Sequence, residues 1–252
     1  MIRKAAKALL ATTSALVLSV QAAFAFDPAD MTEQERTAFD AAVRSYLLEN
    51  PEVIVEAINL MEQRNAEQQA AADDELVAAY SDELFNDSHS WVTGNLDGDI
   101  VLVEFMDYRC GYCRRAVPEV NALLEDDGNI KLIIKEFPIL GEASVISSRF
   151  AIATLQVAGD DAYGLVHNAL LELNGEINGV TLRRLGEELG LDVDAIMDHM
   201  DSDEVTSVIV TNRQLAQALK INGTPTFILV DEMLRGYLPA DQMAEIIAEK
   251  RS

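Results

Sequence analysis

Basic residues are scarce in this chain. Its 252 residues include 19 lysines and arginines against 43 aspartates and glutamates, a formal net charge of −24. Such a surface repels phosphate backbones and anionic lipid, which argues against nucleic acid and charged membrane surfaces as partners. A solvated acidic face with no specific partner accounts for the charge. Cysteine is scarcer still: Cys110 and Cys113 are the only two. The histidines are His89, His167 and His199. The first two have no companions at metal spacing, and a structural zinc site needs four ligands. Neither a metal nor an organic cofactor is expected. Beyond the N-terminus no apolar run approaches transmembrane length. There is no internal repeat and no low-complexity linker.

The N-terminus is different. Arg3, Lys4 and Lys7 precede an apolar run from Ala8 to Val20, and Ala23-Phe24-Ala25 is a small-x-small cleavage pattern. Residues 1–25 therefore read as a cleaved export signal, with the mature chain beginning at Phe26. The rival, an uncleaved anchor, requires a longer apolar run. Export would place two cysteines in an oxidising compartment, where they can cycle.

From Phe26 to about Ser88 the pattern is helical. Thr32-Glu33-Gln34-Glu35 is a capping box that opens a helix running to about Glu49. Asn50-Pro51 then supplies an N-cap and a first-turn proline for a second helix. Ile54, Ile58 and Met61 form its apolar stripe, which fades into the polar run Glu62 to Gln69 and resumes at Leu76, Val77 and Tyr80. The stripe serves either self-association or packing back onto the rest of the chain; the polar stretch favours self-association.

The chemistry gathers at Val101 to Val120. Ile100 to Phe105 is apolar except for Glu104, the pattern of a strand buried on both faces. It leads to Cys110-Gly111-Tyr112-Cys113 and a helical pattern. A strand running into a helix that begins with Cys-x-x-Cys is the thioredoxin arrangement. A cysteine at a helix N-terminus sees unpaired N–H groups and the positive end of the dipole, which favours its thiolate. The second cysteine, one turn on, can close a disulfide with the first or resolve a mixed disulfide. Glu104 lies six residues before Cys110, beneath the cysteines, where it can accept or relay the proton of Cys113. The alternative is an acid on a solvated strand face.

Further on, Ile130 to Phe137 reads as a strand and Ala143 to Leu219 as helix, too much for a bare thioredoxin fold. Gly223-Thr224-Pro225 leads into a β-rich run, Thr226 to Val230, with Met233 to Tyr237 as hairpin partner and Pro239 to Lys250 as a last helix. In thioredoxin-like folds a proline at this place is cis and lies against the cysteine pair. It exposes the backbone of the residue before it, here Thr224, for pairing with an extended substrate. An ordinary loop proline is the alternative.

Val101 to Arg115, Lys135-Glu136-Phe137-Pro138, the long helical stretch and Gly223 to Phe227 together resemble the DsbA family of bacterial periplasmic thiol–disulfide oxidoreductases. Tyr46 to Ile54 (Tyr-Leu-Leu-Glu-Asn-Pro-Glu-Val-Ile) resembles the N-terminal region of its ScsC-type branch. The resemblance implies an α/β thioredoxin fold over residues 89–252, a helical subdomain inserted at about 142–205, and an N-terminal helical oligomerisation segment over 26–88. It implies Cys110 as nucleophile, Cys113 as resolving cysteine and Pro225 as the cis proline; by the residue reading above, Glu104 assists, and Thr224, Gly111 and Tyr112 are expected to face the substrate. Cys-Gly-Tyr-Cys with Thr224 before the proline resembles the isomerase DsbC more than DsbA-type oxidases, which usually carry Cys-Pro-His-Cys and valine before the proline. The expected function is disulfide isomerisation or reduction on exported, cysteine-containing clients, with a membrane redox partner and a homo-oligomer, a trimer by resemblance. A monomeric oxidase is the alternative.

Two rivals remain. Met197-Asp198-His199-Met200 and the two thiols offer soft ligands for copper(I), and ScsC-type proteins are associated with copper tolerance. One turn of methionine and histidine is more often core plus surface. A binding-only chaperone is the other rival, against which the intact cysteine pair argues. Asn86-Asp87-Ser88 and Asn222-Gly223-Thr224 match a glycosylation pattern, discounted because the export signal is of bacterial type and the second lies in the expected site.

Overall fold

The computed structural model describes residues 31–252. The expected export signal, residues 1–25, lies outside the described residues. The chain divides into two compact units, one ending at Met61 and one running from Glu62 to Ser252.

In the first unit, helix α1 (Glu33–Glu49) opens on the capping box. The Glu35 N–H donates to Thr32 Oγ1 at 3.3 Å and the Thr32 N–H donates to Glu35 Oε2 at 2.9 Å. Each side chain thereby satisfies a backbone donor that the helix itself leaves orphaned. The Asn50 N–H closes α1 on the Tyr46 carbonyl, and Pro51 precedes α2 (Glu52–Ala79). No residue of α1 is buried, and Ile54, Ile58 and Met61 of α2 are 47%, 44% and 56% exposed. These two helical stretches have no core of their own.

The second unit is built on five strands: β1 (Trp91–Gly94), β2 (Ile100–Met106), β3 (Ile130–Glu136), β4 (Thr226–Leu229) and β5 (Glu232–Arg235). They lie in the order β1-β3-β2-β4-β5; β2 and β3 are parallel and every other pair is antiparallel. The central β2 is apolar except at Glu104 because it has a core on each side. Ile100, Leu102 and Met106 point to one cluster, shared with the helix α4 (Gly111–Asp127) that follows the cysteine motif. Val103 and Phe105 point to a second. That alternation follows from the two-residue period of a strand.

Five helices separate β3 from β4: α5 (Glu142–Ala158), α6 (Asp160–Glu172), α7 (Gly179–Glu188), α8 (Val193–His199) and α9 (Asp203–Ala218). The expected insertion at about 142–205 covers the first four. Helix α9 serves both clusters, with Val205 and Ile209 in the first and Leu215 and Ala216 in the second. The chain ends in α10 (Ala240–Lys250), whose Met243 and Ile247 join the first cluster beside α4.

The sequence pattern ends the N-terminal appendage at Ser88, whereas the second compact unit begins at Glu62. Val77 of α2 and Leu84 of the short helix α3 (Ser81–Phe85) are buried in the second cluster with Val103, Phe105 and Ile133. Asp73 pairs with Arg235 at 2.7 Å, and Asp87 pairs with the fully buried Lys135 of β3, which also donates to the Glu83 carbonyl at 2.7 Å. The resumed stripe at Leu76, Val77 and Tyr80 therefore covers the sheet. Periodicity reveals such a stripe but not the surface that it meets.

Candidate active site

Strand β2 delivers the chain to the site and α4 carries it away. Between them the Cys110 N–H donates to the Asp107 carbonyl at 3.0 Å, and the Asp107 carboxylate accepts from the N–H groups of Arg109, Ile139 and Leu140 at 2.7, 2.8 and 3.1 Å. The buried Asp107 thus fixes the reactive loop against the end of β3. Cys110 is the N-cap of α4 and Cys113 lies in its first turn. Both are free thiols. Cys110 retains 7% of its surface and Cys113 only 1%, while Gly111 and Tyr112 between them are exposed.

The two thiols are driven apart electrostatically. The Cys113 thiol, hydrogen-bonded to Cys110, pulls the Cys110 thiol down to about 5. Burial opposes this, and a Thr224 side-chain hydrogen bond and the backbone N–H groups of Cys113 and Tyr112 assist it. Cys113 moves strongly upward for the complementary reason: its proton is held by Cys110, and burial and the charge of Glu104 add to the effect. One cysteine is therefore a thiolate at neutral pH and the other a thiol, the division of labour that nucleophile and resolving roles require.

Glu104 lies on the α4 side of β2, two residues from Leu102 and from Met106. It is 7% exposed, and burial, followed by the charge of Cys110, pushes its carboxyl up to about 8. The Thr224–Pro225 peptide bond is cis. Cys110 Sγ lies 3.1 Å from the Thr224 carbonyl oxygen, so Thr224 meets Cys110 through both backbone and side chain. The Gly236 N–H donates to the Pro225 carbonyl at 2.9 Å, tying the proline loop to the end of β5. The structure thus brings Cys110, Cys113, Glu104, Thr224 and Pro225 together, with Gly111 and Tyr112 at the solvent edge.

A neighbouring cluster was not legible as part of this region. The Glu136 carboxylate, at the end of β3, accepts from the hydroxyls of Tyr108, Tyr163 and Ser148 at 2.7, 2.6 and 2.7 Å. Tyr108 Oη also lies 3.1 Å from Nδ1 of His167, whose ring stacks on Tyr163. Burial pushes the Glu136 carboxyl up to about 7 against the pull of its three hydroxyl donors, and burial lowers His167 to about 4. A charged residue inside an apolar strand was the available signal, as it was for Glu104; its partners come from the loop after β2 and from α5 and α6, distant in sequence. The Met197-Asp198-His199-Met200 turn does not converge on the thiols: His199 Nε2 lies 2.7 Å from Gln156 Oε1 and Met200 is buried in the first cluster.

Residues 101–248 match the profile of the DSBA-like thioredoxin domain, and residues 35–68 match the N-terminal domain of the copper resistance protein ScsC. A thioredoxin-like oxidoreductase from Silicibacter pomeroyi is similar in structure, at 39% identity and a TM-score of 0.63, over 68% of this chain and 96% of that one. Proteus mirabilis ScsC in a compact conformation is similar at 27% identity and a TM-score of 0.64, over 86% of this chain and 98% of that one. Among curated sequences, the Na(+)/H(+) antiporter NhaA 1 of Salinispora arenicola is 30% identical over 139 residues, 55% of this chain and 21% of that protein. The chain thus spans about a fifth of the length of that curated relative. No helix among the described residues is long and apolar enough to cross a membrane.

Proposed function

The chain belongs to the family of DSBA-like thioredoxin domains, and from that premise we propose that it exchanges disulfides on exported proteins, isomerising or reducing them in the periplasm. The observation that carries this reading is the split between the thiols: Cys110 lowered to about 5 at a helix N-terminus and the less buried of the two, Cys113 raised and almost fully buried.

The Cys110 thiolate attacks one sulfur of a client disulfide. A Cys110–client bond forms as the client bond breaks, and the other client sulfur leaves as a thiolate. In isomerisation a client thiolate then attacks the mixed disulfide and releases Cys110, with no net oxidation. In reduction Cys113 loses its proton and attacks Cys110 Sγ. The client thiolate leaves, and the Cys110–Cys113 disulfide that results must be reduced by a membrane partner. Glu104, poised at about 8, is placed to exchange that proton with Cys113 near neutral pH. The cis Thr224–Pro225 loop presents its backbone beside Cys110, where an extended client can pair with it.

Isomerisation is favoured by the exposed stripe at Ile54, Ile58 and Met61 and by the match of residues 35–68 to an ScsC N-terminal domain. That stripe would serve a homo-oligomer, a trimer in this reading, which holds several sites around one client at high effective concentration. The second reading, a monomeric oxidase, is favoured by the low Cys110 value, because a stabilised thiolate makes a disulfide more oxidising. The matched N-terminal segment contains no cysteine or histidine and offers the copper reading only Met61 as a soft ligand.

The test combines the reduction potential against glutathione, light scattering, and refolding of a scrambled substrate, on the protein and on residues 62–252. Loss of scrambled-substrate activity together with loss of assembly supports the isomerase. A monomeric protein with a strongly oxidising pair supports the oxidase.

A further inference from the structure

The segment from Arg109 to Arg115 holds three of the chain's 19 basic residues and no acidic one. Among the described residues none of Arg109, Arg114 and Arg115 forms an ion pair, although acids outnumber bases more than twofold. Arg114 is committed internally, to the carbonyls of Tyr108 and Leu173 at 3.0 and 2.9 Å. Arg109 is close enough to repel it, and the buried Nη1 of Arg109 has no hydrogen-bond partner. Arg115 is exposed and lies between two rings, 5.6 Å from the centroid of Tyr112 and 5.0 Å from that of Tyr237. The nearby Glu119 carboxylate feels the Arg115 charge but forms no ion pair with it, being engaged by the Tyr237 hydroxyl and the Ala240 N–H at 2.8 and 2.9 Å.

Across the nucleophile the same sign continues. Thr224, which touches Cys110, lines a cavity of about 500 Å³ whose charged lining residues are Lys220 and Arg235, with no carboxylate among them. Arg235 is paired with Asp73, while Lys220 is exposed and has no ion-pair partner among the described residues.

We infer that the face around Cys110 selects client segments in which aspartate or glutamate flanks the reactive cysteine, with Arg115 and Lys220 reading the acid on either side of the site. The inference rests on the exchange reading of the cysteines. Its physical basis is range. The excess negative charge of the whole protein is screened beyond about 10 Å at 0.1 M salt, while fixed cations act at contact distance. The stacking of Arg115 on Tyr112 and Tyr237 holds its guanidinium in place, which lowers the entropy lost when a carboxylate binds.

The test uses three synthetic peptides of equal length. Each carries one cysteine as a mixed disulfide with 2-mercaptoethanol, flanked by aspartate, serine or lysine. The rate at which the reduced protein attacks each is measured at about 0.1 M and about 1 M salt, where the screening length falls from about 10 to about 3 Å. Rates are expressed relative to the serine peptide, which corrects for any change in Cys110 itself. The expected result is a preference for the aspartate over the lysine peptide of roughly fivefold or more at low salt, collapsing towards parity at high salt. Arg115→Gln with Lys220→Gln should abolish or reverse the preference, and each single substitution should reduce it. A preference for the lysine peptide at low salt, or a preference for aspartate that the double substitution leaves unchanged, would overturn the inference. Failure of the serine peptide to react at all would overturn the exchange reading, and this inference with it.

Discussion

Cys110 Sγ lies 3.1 Å from the carbonyl oxygen of Thr224, a residue 114 positions later in the chain. The contact joins the start of α4 to the loop before β4, and β2 and β4 meet beneath it in antiparallel register from Leu102 with Leu229 to Phe105 with Thr226. The registry of two strands thereby brings the Cys110 thiol and the Thr224–Pro225 loop together. Several measurable outcomes come from this geometry.

Alkylation of the reduced protein should follow a titration with a midpoint near 5, and mass spectrometry should find the label on Cys110. Cys110→Ser should abolish labelling under native conditions. Cys113→Ser should preserve attack but trap the mixed disulfide with a client, because the resolving thiol is gone. Labelling first at Cys113 would reverse the assigned roles.

Glu104 makes a prediction about stability as well as rate. In the folded chain its carboxyl keeps its proton up to about 8, while the unfolded group titrates near the ordinary 4.5. Unfolding therefore releases a proton between those values, and the native state loses stability as pH rises through the window. Glu104→Gln removes that penalty. Denaturant titrations should find the variant more stable than the parent at pH 8 by about 1–3 kcal/mol, with the gap closing near pH 4. The Cys113-dependent step should nevertheless slow. A gap that is constant with pH would mean that Glu104 is not the titrating group.

Truncation should distinguish Met61 from Ser88 as an end point. Removing residues through 61 should leave a cooperatively folding unit. Removing residues through 88 strips Val77 and Leu84 from the second cluster and leaves Lys135 buried without Asp87. An unpaired buried charge alone costs about 3–5 kcal/mol, and burial of each aliphatic side chain contributes about 1.5–3 kcal/mol. The shorter fragment should be insoluble or molten by near-ultraviolet circular dichroism. Two equally stable fragments would refute the role given to α3.

Tyr163→Phe tests the buried cluster. Glu136 would keep two of its three hydroxyl donors, so the expected loss is about 1–2 kcal/mol, with the Cys110 midpoint still near 5. A midpoint displaced by a full pH unit would show that the cluster tunes the nucleophile through Tyr108 rather than only supporting its loop.

Much of this architecture was readable before the structure because it is written locally. An apolar run, a Cys-x-x-Cys and a Gly-Thr-Pro each mark their own backbone within a few residues, and β2, α4 and the cis Pro225 lie where those marks stand. What escaped was long-range. The partners of Glu136 are Tyr108, Ser148 and Tyr163, on three separate elements, and no spacing rule connects them. Leu76, Val77 and Tyr80 showed an apolar stripe, but a stripe does not say whether it faces a sheet or a second copy. The three arginines at the site were visible, yet their significance depends on their forming no ion pair among the described residues, which only coordinates reveal.

The possession of a single cysteine pair has a combinatorial consequence. Four cysteines can pair in three ways, but two can pair in only one. A protein that passes its life in mixed disulfides with other chains is exposed to thiol reshuffling at every encounter. With Cys110 and Cys113 adjoining on one helix turn and no third thiol anywhere in the chain, its own intramolecular pairing has a single solution. Mispairing within this chain has no second arrangement to reach.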